Sequence, residues 1–374
     1  MSDGQRPTIL TAAFSARQIA TSARLAGIDA LAVDFFSDLD LAEHAKRCEV
    51  LHGEYPDGFS GDELLTALER LSEGETPIGF VYGAGFEDRP ELLEEIGRRW
   101  PILGTSAQAS RQLKDPKAFA AICAVAGVAH PEIRSATPED PANWLSKKIG
   151  GSGGSHVRFG DAPAAPDRYY QRFVAGERIS LAFVANGADH APLGYTRQWT
   201  DPCDDEPFRY AGAVGPLPTP PAWDEEMRRA VAAILSHLPL VGLCSADFVS
   251  TEAGPVLLEI NARAGATLDI FEDERAPLVR MHLDACEGRL PSGSPPKRET
   301  IRAAGLAWTA RDITVPAGFD WPDWTRDRSR PPASFRTGDP LCTIVAEAGD
   351  VEAAVGLFTE RAHQINEVFG RIAA

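Results

Sequence analysis

The chain has 374 residues, 44% hydrophobic and 24% charged, a globular composition with length enough for two or three domains. Thirty-seven lysines and arginines against 54 aspartates and glutamates leave a formal charge of −17, which argues against bare nucleic acid as a partner. Residues 1–7 lack a cationic, apolar leader pattern, no apolar run reaches about 18 residues, and the six cysteines form no CxxC pair; the expectation is a reduced cytoplasmic protein with no membrane partner and no disulfide framework.

In chain order, an apolar run at 8–13 precedes a helical pattern at 16–26 that Gly27 stops, and a second apolar run at 30–33 ends in Asp34-Phe35-Phe36. The spacing then predicts helices at 41–47 and 62–71, a strand at 78–82, a helix at 90–99 and a strand at 102–103. Strands alternating with helices imply a parallel α/β sheet, so 1–105 reads as an N-terminal, substrate-side domain. Helices at 107–113 and 116–126, then strands at 144–147 and 169–174 around a glycine-rich loop, make a small subdomain over 106–178. A larger subdomain over 179–288 follows. It holds a strand at 179–184, a helix at 225–238 with Met227, Val231, Ile234, Leu235 and Leu238 on one face, and strands at 246–249 and 256–260. Within it, the acidic stretch 201–206 reads either as a solvated loop or as a lid, and 216–223 as a proline-rich connector. The proline, glycine and serine content of 288–297 marks a linker, and strands at 303–310 and 341–346 with a helix at 351–369 form a small C-terminal α+β appendage over 299–374.

Only six cationic residues are lysines (46, 114, 117, 147, 148 and 297), so the pair Lys147-Lys148 stands out. It leads into Gly150-Gly151-Ser152-Gly153-Gly154-Ser155-His156, where glycines let backbone N–H groups approach phosphate oxygens and a lysine supplies the opposite charge. The lysine precedes the glycines, so this is not a P-loop, and a flexible surface turn is the plain alternative. In Tyr169-Tyr170-Gln171-Arg172-Phe173-Val174-Ala175-Gly176-Glu177, a strand runs into a connector that can offer amide and carbonyl to an adenine edge, with a carboxylate for ribose hydroxyls. The third segment pairs Asp247 with Glu259, Asn261 and Arg263. A period of two puts the last three on one strand face, and Asp247 joins them from the neighbouring strand. Two carboxylates and an amide oxygen suit magnesium on nucleotide phosphates, and Arg263 has the reach and charge for a transferring phosphoryl group.

Together, in this order, these segments resemble the ATP-grasp superfamily over residues 7–287. The resemblance implies an N-terminal parallel α/β (pre-ATP-grasp) domain followed by a two-subdomain ATP-grasp fold that binds ATP and magnesium. It makes Lys147 or Lys148 the phosphate contact, with Gly151, Ser152, Gly153, Gly154 and Ser155 as the mobile phosphate loop. Gln171, Arg172 and Val174 become the adenine hinge, Glu177 the ribose ligand and Lys117 an earlier phosphate lysine. Asp247, Glu259 and Asn261 become the magnesium ligands and Arg263 the catalytic arginine. The chain departs from the family where Pro116 interrupts the usual Asp-Lys, where Asn-Ala-Arg replaces Asn-Pro-Arg, and where Gln171 replaces the commoner Glu.

The segments 34–38, 81–87 and 338–343 are similar to a branch of biotin-carboxylase-related ATP-dependent ligases, some linked to methanopterin- and methanofuran-type one-carbon metabolism. Glu87 then reads as a substrate contact at the sheet's carboxyl edge, or as part of a plain turn before the next helix. The implied activity is a carboxylate–amine ligase working through an acylphosphate, with glutamate and an aromatic amine as candidate substrates and a homodimer as a candidate assembly. Carboxylation through carboxyphosphate and a non-catalytic ATP-binding regulator are the alternatives. A dinucleotide-binding dehydrogenase is set aside, because Ala12-Ala-Phe-Ser-Ala-Arg17 stands where Gly-x-Gly-x-x-Gly is needed.

Overall fold

The computed structural model describes residues 6–51, 58–203, 205–292 and 299–372; residues 1–5, residue 204 of the acidic stretch and 293–297 of the expected linker lie outside them. The first apolar run forms β1 (Thr8–Ala12), buried throughout, and the amphipathic stretch after it forms α1 (Arg17–Leu25), with Gly27 just beyond at φ +72°. Then come β2 (Asp29–Asp34), α2 (Leu39–His44), β3 (Arg47–Val50), α3 (Gly61–Ser72), β4 (Phe80–Tyr82) and α4 (Pro90–Gly97). The sheet order is β3-β2-β1-β4 and every pair is parallel, as helical crossovers require. Two readings are corrected here. The helix expected to run to 47 ends at His44, and Arg47–Val50 is an edge strand with no fully buried residue, too polar to show a period. The strand expected at 102–103 is a single bridge between Ile102 and Phe80.

Asp115 joins α5 (Ala107–Lys114) to α6 (Pro116–Ala126): its side chain accepts the N–H groups of Lys117 and Ala118, and Pro116 fills the first turn, where no N–H is needed. The strands β5 (Ile133–Arg134), β6 (Trp144–Lys148), β7 (Arg158–Phe159) and β8 (Arg168–Arg172) form an antiparallel sheet in the order β5-β8-β6-β7, with the glycine loop between β6 and β7.

The larger sheet begins with β9 (Glu177–Asn186), β10 (His190–Thr200) and β11 (Tyr210–Gly215). After α7 (Pro221–Leu235) come β12 (Val241–Thr251), β13 (Gly254–Asn261), α8 (Leu268–Phe271) and α9 (Leu278–Cys286). The C-terminal segment adds β14 (Ile301–Trp308), β15 (Ile313–Val315), β16 (Thr325–Arg326), β17 (Ala333–Phe335), β18 (Pro340–Ala348) and α10 (Val351–Ile372). Its composition is α+β, and the eight-stranded order is β13-β12-β9-β10-β11-β14-β18-β16, so its strands continue the large sheet. Ala354, Phe358, Ile365 and Phe369 of α10 are buried in the core that includes β14 and β18. Sequence periodicity misses β10 because most of its residues are half-buried on both faces.

Two buried groups tie the parts together. His282 of α9 accepts the Leu243 N–H at Nδ1 (2.9 Å) and faces the Leu103 carbonyl with Nε2 (2.8 Å). Arg17, 1% exposed, meets Asp269 at 2.5 Å, Asp327 at 2.9 Å and Asp40 at 3.9 Å, so one guanidinium holds the N-terminal domain, the large sheet and the C-terminal strands. Among the described residues no helix is long and apolar enough to cross a membrane.

Candidate active site

A tight turn joins β12 to β13, and their antiparallel register sets Asp247 opposite Glu259 and Ser245 opposite Asn261. Asn261 Nδ2 donates to Asp247 Oδ2 at 3.1 Å and to Glu259 Oε1 at 3.3 Å, so these three side chains meet. Two cations face them: Lys114 Nζ donates to Asn261 Oδ1 at 2.7 Å, and Lys147 Nζ stands 4.0 Å from Glu259 Oε2. Gln198 Nε2 donates to Asp247 Oδ1 at 3.2 Å. Burial opposes ionisation of Glu259, but Lys114 and Lys147 overcome it and hold its carboxyl below the usual range; burial and the neighbouring Glu259 push Asp247 the other way.

Alternation along β6 separates the two lysines. Lys147 is 8% exposed and donates to Gln171 Oε1 at 3.3 Å. Burial by itself would lower its pKa, but Tyr169 and Glu259 reverse the sign, so it stays an ammonium. Lys148 is half-buried and lines the recess beside the main cavity rather than the cavity itself. Beyond it the chain turns at Gly150, Gly153 and Gly154, with φ of +72°, +69° and +74°. Tyr210 N–H donates to the Gly153 carbonyl at 3.0 Å, and a Cβ on Gly154 would strike the Phe208 carbonyl, so the loop lies down on the start of β11. Ser152, Gly153 and Gly154 line the main cavity and Gly151 a recess beside it, while Ser155 gives its carbonyl to Arg158. His156 Nδ1 lies 3.2 Å from the Ser152 carbonyl; burial, then Lys147, pushes its pKa down to about 4, so the ring is neutral.

These groups border a cavity of about 500 Å³. One half runs along Gln171, Arg172, Val174, Val249 and Leu258. Besides Lys148, Gly151 and Ser155, the candidates Glu177 and Lys117 are not part of it. Glu177 is exposed and pairs with Arg197 at 3.4 Å; the next side chain points the other way, so Arg178 lines the cavity, 5.7 Å from the Phe208 ring. Lys117 is exposed on α6, and Lys114, on the other side of Asp115, is the lysine at the carboxylates. Pro116 was the available signal: it starts a new helix, so the two lysines belong to different elements.

The other half opens past Arg263 between the carboxyl edge of the N-terminal sheet and the C-terminal strands, along Phe14, Ser15, Gln18, Phe36, Asp327 and Phe335. Glu87 is not a substrate contact there. Its Oε1 accepts Arg263 Nε at 2.8 Å and its Oε2 accepts the Gly85 and Phe86 N–H groups at 2.7 and 3.0 Å, which occupies both oxygens.

Comparison with known proteins agrees with this architecture. Residues 117–267 match the family described as the ATP-grasp domain, so that stretch of the chain carries an ATP-grasp domain. Phosphoribosylamine–glycine ligase of Caulobacter vibrioides is 30% identical over 154 residues, 37% of this chain and 35% of that protein. The carbamoyl phosphate synthase large chain of Mycobacterium sp. (strain JLS) is 23% identical over 260 residues, 62% of this chain; the match spans only 22% of that relative's length. The biotin carboxylase domain dimer of Hydrogenobacter thermophilus 2-oxoglutarate carboxylase, solved with MgADP, ADP and bicarbonate, superposes with a TM-score of 0.72 at 12% identity, covering 94% of this chain and 89% of that one. That likeness is one of fold.

Proposed function

We propose that this chain is an ATP- and magnesium-dependent carboxylate–amine ligase that forms an amide through an acylphosphate. The observation that carries the reading is the gathering of Lys147, Asp247, Glu259 and Asn261 on the wall of a cavity that continues past Arg263 into an aromatic-lined half, with Lys114 bonded to Asn261 from the recess beside it. The donor set fits magnesium, because two half-buried carboxylates and an amide in mutual reach offer hard oxygens. Magnesium held by Asp247, Glu259 and Asn261 would offset the charge of the nucleotide phosphates.

With adenine along 171–174 and phosphates under the glycine loop, Lys147 and Lys114 neutralise the triphosphate, and Arg263 meets the transferring group. The substrate carboxylate attacks the γ-phosphorus to give an acylphosphate and ADP, and the amine then displaces phosphate. The loop pinned at Gly153 keeps water from the acylphosphate. Phe14, Phe36 and Phe335, with no lysine or arginine but Arg263 among the residues lining that half, favour an unphosphorylated aromatic amine as acceptor. Glutamate with such an amine, the pairing from which methanofuran-type cofactors are built, is the specific candidate. Six free cysteines suit a reducing cytoplasm. A homodimer is the assembly to test, by light scattering.

The test is magnesium-dependent ADP release with panels of acids and amines, for wild type and Glu259→Ala. ADP that requires both partners and disappears in the variant supports amide ligation. ADP with bicarbonate alone moves the reading to carboxylation, and tight ATP binding without turnover on any pair moves it to a nucleotide-binding regulator.

A further inference from the structure

The turn after β4, Gly83-Ala84-Gly85-Phe86-Glu87, folds a carboxylate back onto its own backbone: Gly85, at φ +116°, and Phe86 donate their N–H groups to Glu87 Oε2. The other oxygen accepts Arg263 Nε at 2.8 Å, and both side chains are buried, 6% and 12% exposed. The Glu87 carboxyl is held below its usual range; burial opposes this, but Arg263 and Lys114 outweigh it. Among the described residues, the one other hydrogen bond of Arg263 is a long contact, 3.5 Å, from Nη1 to the Ala264 carbonyl. A buried guanidinium cannot shed its proton, so it needs a carboxylate. Besides Glu87, the carboxylates whose fields reach it are Glu259 and Asp247.

We propose that Glu87 is a positioning residue: it holds the Arg263 guanidinium against the N-terminal domain and so keeps it from pairing with Glu259 and Asp247, leaving those carboxylates free for a cation. The proposal rests on the ligase reading through its cation site. It joins the two domains in one function, because the residue that guards the nucleotide half belongs to the N-terminal domain, in the turn after β4. An amide cannot replace the carboxylate. Gln at 87 must turn its NH₂ either toward Arg263 or toward the two backbone donors, so one set of donors is always left unmet.

The experiment measures Mn²⁺ binding by electron paramagnetic resonance in the presence of ADP, on the full chain, for wild type, Glu87→Gln, Arg263→Ala and the double variant. Glu87→Gln is expected to raise the Mn²⁺ Kd at least about fivefold, and the double variant to return it to within about twofold of Arg263→Ala, the non-additivity of a coupled pair. A purely structural Glu87 does not give that rescue. Wild-type affinity in Glu87→Gln, or a double variant as weak as Glu87→Gln, overturns the proposal. If Glu87→Gln does not fold, Glu87→Asp keeps the charge but shortens the reach; it should weaken Mn²⁺ binding in part, and an unchanged Kd overturns the proposal as well. A wild type that fails to bind Mn²⁺ with ADP defeats the ligase reading itself, an outcome distinct from the others.

Discussion

The two halves of the cavity are assembled in opposite ways. The nucleotide half is local: Asp247, Glu259 and Asn261 come from two strands joined by one turn, and Lys147 with its glycines from one hairpin. The half proposed to take the acceptor is assembled from both ends of the chain, with Phe14, Ser15 and Phe36 facing Asp327 and Phe335. Its shape therefore depends on domain docking, and Arg17 with its three carboxylates is a buried fastening of that docking. Substitutions in the first half should remove chemistry while sparing the fold, whereas substitutions at the fastening of the second should remove the fold first.

The largest effect expected is on the local side. Lys147→Met should lower kcat for ADP release roughly a hundredfold with an unchanged unfolding temperature, because on the proposed ligase reading it deletes the buried charge that meets phosphate. Lys148→Met, half-exposed on the opposite strand face, should change it less than about threefold. Equal losses in the two would break the comparison by making the whole loop, rather than one face of β6, the phosphate contact. On the assembled side, Arg17→Met should destabilise the protein by about 3–5 kcal/mol in chemical unfolding, since it strands carboxylates in a buried site. A loss below about 1 kcal/mol would place the fastening elsewhere, since a value that small is what an exposed ion pair contributes.

The same contrast decides what the sequence reveals. The parallel N-terminal sheet and the helices of the small subdomain follow from strand–helix alternation, and the Asp247, Glu259 and Asn261 cluster from a period of two across one turn. Strands whose burial shows no period, such as β3 and β10, give no such signal. Glu177 and Lys117 mislead for a related reason. Motif order says that a carboxylate or a lysine is present, but the side-chain direction on β9 and the new helix at Pro116 decide that Arg178 and Lys114 face inward. The role of the C-terminal strands is invisible locally, since β14 completes its pairing with β11 across a long insertion.

Acidity sharpens the nucleotide half further. Burial and Glu259 raise the Asp247 carboxyl to about 6, so a proton competes with a dication there. Mn²⁺ affinity in the presence of ADP should hold above that pH and fall as pH drops through it. A pH-independent affinity would assign the binding to Glu259 alone.

The smallest expected effect tests the acceptor half. Phe36 lines the cavity yet is 43% exposed, in a turn fixed by Asp34, whose Oδ1 accepts the Phe36 N–H at 3.0 Å and the Ser37 N–H at 2.7 Å. Because the backbone carries that turn, Phe36→Ala should alter unfolding free energy by no more than about 0.5 kcal/mol. An aromatic acceptor stacked on the ring loses that contact, so its KM should rise about tenfold with kcat little changed. A small aliphatic amine, unable to cover the ring, should show no such rise. If both amines respond alike, Phe36 shapes the entrance rather than selecting the acceptor, and aromatic selectivity passes to Phe14 and Phe335 on the deeper walls.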